Sequence, residues 1–184
     1  MSEAALSTEP RPSFWRRNYR YLTGVVVTLL IIGVALGPDG IARTVHLAGT
    51  AHLHAPRFEL IAPMPLAIKI HLATIAAAFV LGWVLMSGLK ETRLHRTLGW
   101  TWVGFMGTTA VTSLFIHQPG QGFSFLHLFA AITLTSLPLG IWAARKHKVE
   151  QHRRTMTGLF FGALIVAGVT AFLPGRLMWR VFFG

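Results

Sequence analysis

The chain has 184 residues, of which 53% are hydrophobic and only 12% charged; a water-soluble domain carries roughly 25% charged residues, so an ordinary soluble globule is excluded. Its formal charge of +11 and mean hydropathy of +0.54 describe a membrane chain whose bases collect in loops, not a nucleic-acid-binding protein. With no cysteine and nine histidines, disulfides, thiolate metal sites, iron–sulfur clusters and thioether-linked haem are all excluded, and any metal or cofactor must be held by imidazole.

Residues 1–20 read as a polar cytoplasmic tail ending in the basic aromatic stretch Trp15-Arg16-Arg17-Asn18-Tyr19-Arg20. The uncharged run Tyr21–Leu36 follows, closed by Gly37-Pro38-Asp39-Gly40. Its long leader and the lack of a small-x-small cleavage site favour an uncleaved first transmembrane helix over a signal peptide. Residues 37–63 form a long outer loop with three histidines, in which Ile41–Leu53 is apolar enough for a short helix lying on the membrane surface.

Four further apolar segments, about 64–89, 98–116, 123–144 and 156–173, each approach the ~20 residues needed to cross the hydrocarbon. Arg11, Arg16, Arg17 and Arg20 precede the first of the five spans. Lys90, Arg93 and Arg96 lie between the second and third, and Arg145, Lys146, Lys148, Arg153 and Arg154 between the fourth and fifth. The other side receives only Arg43, Arg57, Lys69, Arg176 and Arg180. Basic residues favour the cytoplasm, which places the N-terminus inside and the C-terminus outside. The Pro119-Gly120 turn within His117–Gly122 makes spans three and four antiparallel neighbours.

The region 64–184 contains an internal repeat. His71 and His95 are separated by one span and a basic loop, and so are His127 and His152. A duplicated helical hairpin predicts an all-α integral membrane fold, a four-helix bundle plus one N-terminal helix. The glycines Gly99, Gly104, Gly107, Gly158, Gly162 and Gly168 predict close helix contacts.

In this topology His71 and His127 sit at similar depth near the outer ends of two helices. A buried imidazole is costly without a partner, and a matched pair supplies both axial ligands of a haem iron. Ile75, Ala78 and Gly82 beside His71, and Ala131, Leu134 and Pro138 beside His127, offer smooth faces for a flat ring. The plainer account is helix packing, with each histidine bonded to a backbone carbonyl or a threonine. His95 and His152 form a second pair at the inner ends, placed by hydropathy just ahead of their spans. An inner haem there requires the helices to begin earlier than the apolar runs and the adjoining arginines to turn toward its propionates; a surface contact with lipid phosphate or a helix-start contact is the plainer account. His95, Gly99, Trp102, Met106 and Ser113 share one helix face. Met106 reads as core rather than as a ligand.

His46, His52, His54 and His117 lie on the outer side and are candidates for a copper or zinc site; the spacing is loose, so loop histidines without a metal are the better reading, and covering the outer cofactor, gating a quinone or passing protons are further roles. His147, between two lysines, reads as solvated surface, and Lys69 as a base snorkelling to the headgroups. Trp15, Trp100 and Trp179 read as interfacial anchors. No phosphate-binding glycine loop, serine-hydrolase elbow or His-Glu-x-x-His motif occurs.

His71, the turn His95-Arg96-Thr97-Leu98-Gly99-Trp100, His127 and the turn His152-Arg153-Arg154-Thr155-Met156 resemble a family of small bacterial multi-spanning membrane proteins defined as a domain of unknown function. The resemblance covers His71 to Gly175 and implies a multi-pass protein of the bacterial inner membrane. More distantly, paired histidines on alternating helices resemble the transmembrane di-haem cytochromes b, which implies haem b and electron transfer with quinone or a redox protein. Two other functions compete with that expectation: a cofactor-free accessory or assembly subunit of a larger membrane complex, and a metal transporter or sensor using the outer histidines. Whether the chain is an enzyme does not follow from these residues.

Overall fold

The structure, a computed structural model, describes Gly33 and residues 39–88, 92–116 and 126–183. All regular secondary structure among them is helical. Residues 39–49 are helical and are called helix α1; they overlap the apolar stretch Ile41–Leu53, whose last residues, from Thr50, are not helical. The expected first span at 21–36 and the turn at 117–122 lie outside the described residues.

Four long helices follow: α2 (Leu66–Met86), α3 (Arg93–Ser113), α4 (Leu126–Arg145) and α5 (Val149–Ala171). Pro65 precedes the first turn of α2, where its fixed φ is compatible with a helix start. At α3 the Thr92 hydroxyl accepts from the His95 backbone N–H at 3.0 Å and caps the helix. α4 continues through Pro138, as neighbouring helices permit in membrane bundles. α5 is π-helical from Leu159 to Val166, and a short helix α6 (Leu177–Phe182) ends the described chain.

Two of the expected span starts are shifted. α3 begins at Arg93 rather than Leu98 and α5 at Val149 rather than Met156, because hydropathy marks the hydrocarbon, whereas a helix starts at its cap. α2, α4 and α5 are long and apolar enough to cross a membrane. α3 matches α2 in length at 21 residues, but its arginines and threonines lower its hydropathy. Its hydroxyls are nonetheless satisfied internally: Thr97, Thr101 and Thr112 donate to the carbonyls of Arg93, Thr97 and Thr108.

The helices form a ring in which α2 packs on α3, α3 on α4, α4 on α5, and α5 back on α2. Contacts of His71 with Thr109 and of Trp102 with Ala78 make α2 and α3 antiparallel. Those of His152 with Gly140 do the same for α4 and α5, and those of Gly82 with Phe160 and Met86 with Thr157 for α2 and α5. α2 and α4 therefore run the same way on one diagonal, with α3 and α5 on the other. This is the two-hairpin bundle expected from the repeat.

Trp102, Met106, Leu137, Met156, Leu159, Phe160 and Leu164 form the core. The Trp102 indole Nε1–H donates to the Ala78 carbonyl at 2.9 Å, so its one polar group is satisfied. Gly82 lies against both large rings: a Cβ there would meet Phe160 Cδ2 at 2.5 Å and Trp102 Nε1 at 2.8 Å. Neither ring is a flexible chain end. Gly82→Ala is therefore expected to destabilise the bundle by about 1–3 kcal/mol, the usual cost of overpacking, measurable as a lower midpoint in a denaturing-detergent titration.

The six glycines expected at close contacts are not at them. A Cβ at Gly99, Gly104, Gly107, Gly158, Gly162 or Gly168 meets nothing within 4 Å among the described residues. The close approaches are at Gly82 and at Gly140, which lies against Met156 and Thr155. Glycine alone does not say which face of a helix is turned inward.

Candidate functional site

His71 is the sixth residue of α2 and half-buried against α3. Its Nδ1 lies 3.0 Å from the Thr109 carbonyl and 3.3 Å from Thr112 Oγ1. A carbonyl only accepts, so Nδ1 carries the proton and the lone pair of the neutral ring resides on Nε2. The acceptor is held in place by hydroxyls. Thr109 Oγ1 donates to Thr74 Oγ1 at 2.8 Å, and Thr74 Oγ1 donates in turn to the Ile70 carbonyl at 2.8 Å. Four polar residues thus tie α2 to α3 and fix the plane and tautomer of one imidazole.

His127, near the start of α4, is buried at 8% exposure, at the same end of the bundle as His71 and on the same diagonal. From it the inward face continues through Ala130, Thr133, Leu137 and Gly140. The expected face through Ala131, Leu134 and Pro138 is therefore corrected, since Ala131 and Pro138 are exposed. The smooth surface at Ala78 and Gly82 is likewise covered by Trp102 and Phe160.

His95 and His152 both lie within helices, in the first turn of α3 and the first turns of α5. The helices begin early enough to contain the inner pair, while Arg153 and Arg154, the arginines that an inner haem would need for its propionates, are paired with Glu150. His152 Nδ1–H donates to the Gly140 carbonyl of α4 at 3.0 Å, which leaves its lone pair on Nε2 as in His71. His95 Nδ1 is a buried ring nitrogen with no hydrogen-bond partner among the described residues, a state in which buried polar atoms are rarely left.

The two levels are well separated. Trp102 lies seven residues from His95 and seven from Thr109 along α3, so the levels are roughly 20 Å apart at ~1.5 Å per residue. The Trp102 and Phe160 rings fill the bundle between them.

Residues 52–57 run along the C-terminal segment: the N–H groups of His52, His54 and Arg57 donate to the carbonyls of Phe183, Phe182 and Val181. The Arg57 guanidinium also donates to the Arg180 carbonyl at 3.1 Å. The outer loop and the C-terminus therefore share one end of the bundle. His46 and His52 are exposed, and His54 Nδ1 is 2.8 Å from the Ala55 carbonyl. Among the described residues no three His, Asp or Glu side chains assemble as a metal site; His117 lies outside them. His147 is exposed in the α4–α5 turn with φ of 55°, Lys69 is exposed, and Met106 is core at 3% exposure.

Sequence reasoning missed Trp102 and Phe160 as the central packing pair. The position of Trp102 seven residues into the His95 face was the available signal.

A ring of four antiparallel helices with apolar faces outward and imidazoles at both ends defines an α-helical membrane protein. The chain matches a family described as "Predicted membrane protein (DUF2306)" over residues 68–182 and belongs to it. The match begins just before His71 and includes all four bundle histidines. No curated protein and no solved structure matches the chain.

Proposed function

We propose that the protein is an electron carrier of the bacterial inner membrane, holding at least one b-type haem between His71 and His127, with His95 and His152 as the ligands of a second. In this reading the chain crosses the membrane five times, with its N-terminus in the cytoplasm and its C-terminus outside, and exchanges electrons with quinone or a redox protein. The observation that carries it is the common state of His71 and His152. Each donates its Nδ1–H to a carbonyl of the neighbouring helix and keeps its Nε2 lone pair, the arrangement that orients metal-bound histidine. His95 and the buried His127 lie on the diagonally opposite helices at the same two levels, although His95 Nδ1 lacks the carbonyl partner that His71 and His152 have among the described residues.

When bound, haem supplies reversible one-electron chemistry. The chain's own residues do the rest. Thr109 and Gly140 orient the imidazoles, Thr74 and Thr112 hold the polar junction at the outer end, and the apolar core keeps water out of the interior.

The test is a reduced-minus-oxidised visible spectrum of the detergent-purified protein, with iron and pyridine-haem content per chain. A sharp b-type band with one or two haems is expected. A featureless spectrum after expression with ample haem overturns the reading, and a colourless protein that co-purifies with a membrane complex would mark it as an accessory subunit.

A further inference from the structure

The end of the bundle that carries the α4–α5 turn holds a basic groove that neither the haem pairs nor the core uses. Lys148, Val149, Glu150, Gln151, Arg154 and Thr155 line an open space of about 490 Å³ at the start of α5. Arg145, Lys146 and Arg153 lie close by in sequence, and Glu150 is the one acid of the segment from Arg145 to Thr155. That acid is fully engaged. Its Oε2 is 2.7 Å from Arg153 and its Oε1 2.7 Å from Arg154, which draws both guanidiniums to one spot although their side chains stay more than 60% exposed. Lys148 is also placed, with its ammonium 4.5 Å from the centre of the exposed Trp142 ring.

Depth decides what such a groove meets. The apolar, buried part of α5 begins at Met156, so the turn before it passes through the headgroup layer, which is roughly 5–7 Å thick on each side of the hydrocarbon. Arg153 and Arg154 therefore stand at the level of lipid phosphates, while Lys148 starts roughly 12 Å from Met156 at ~1.5 Å per residue and its long side chain reaches back over the Trp142 ring. We infer that this groove binds the headgroup of an anionic phospholipid, with Lys148 and Arg154 on its phosphate and Glu150 as the internal anion that occupies the guanidiniums until lipid displaces it.

The experiment is native mass spectrometry of the purified full chain after exchange into detergent containing phosphatidylglycerol or phosphatidylcholine. The protein is expected to retain phosphatidylglycerol preferentially. Arg154→Gln should lower that retention about fivefold, near the effect of one base at a charged membrane surface, while Arg96→Gln, the same charge change elsewhere, should leave it within twofold. Glu150→Gln, which frees both guanidiniums without removing a base, should raise it. Equal retention of the two lipids overturns the inference, as does an equal loss in Arg96→Gln, which would mean net charge alone. Unchanged or lower retention in Glu150→Gln also counts against it. Displacement of the lipid by millimolar inorganic phosphate would assign the groove to free phosphate and overturn the lipid as its ligand.

Discussion

His71→Ala is expected to lower pyridine-haem content by one haem per chain while leaving the bundle folded. The substitution removes the Nε2 lone pair at the outer level together with the Nδ1–H bond to Thr109. Hydrogen bonds between membrane helices average about 0.6 kcal/mol and reach about 1.7 kcal/mol, too little to unfold four packed helices. If His71 and His127 together hold a haem as proposed, loss of one of the two imidazoles would be a different order of effect, because His127 alone would have to retain the group. The comparison with Thr112→Val separates the two. That variant loses the longer 3.3 Å contact to the imidazole and the hydroxyl's bonds to the Thr108 and Thr109 carbonyls of its own helix, but keeps both His71 nitrogens and the Thr109 acceptor, and should keep its haem. If His71→Ala and the parent protein have the same spectrum and iron content, His71 is a packing residue, as its bonds to a carbonyl and a threonine would by themselves allow.

The bundle was legible in the sequence because burial in a membrane leaves long uncharged runs, and because the two hairpins carry the same histidine and basic-loop markers. The placement of the histidines was legible only in part. His95 and His152 lie ahead of the apolar runs, and hydropathy therefore set them at the edge. The cap at Thr92, three residues before His95, was the available sign that α3 begins earlier. The inward faces were harder to read. In a soluble helix polarity marks the outward side, but here α2 is apolar all round, with Phe79, Val80 and Trp83 exposed, so neither Gly82 nor Ala78 stands out from its neighbours. The π stretch Leu159–Val166 had no signal either, since its residues are uniformly apolar and its geometry follows from packing against α2 and α4.

Phe160→Ala is expected to produce the largest loss of stability, because this ring is where the departures from regular packing meet. It is fully buried, lies in the π-helical stretch, packs on Gly82, stacks at 6.1 Å on Phe79 and meets Phe161 edge-on at 5.1 Å. In water, Phe→Ala in a core costs about 3–5 kcal/mol, part of it the transfer of the side chain out of water. In a bilayer that part largely cancels, since the separated helices face hydrocarbon anyway. The cavity remains: at roughly 24 cal/mol per Å³, a void of roughly 100 Å³ costs about 2–3 kcal/mol. Refolding equilibria in mixed detergent and denaturing detergent would measure it. The pair Gly82 and Phe160 gives a sharper result. Gly82→Ala costs stability in the parent because its methyl has nowhere to go, but in the Phe160→Ala background the same methyl enters the cavity. The two substitutions should therefore be less harmful together than the sum of their separate effects, by about 1 kcal/mol or more as expected for residues in direct contact. Strict additivity would show that the two helices do not meet at this point, and the separation of the two histidine levels by packed aromatic rings would fall with it.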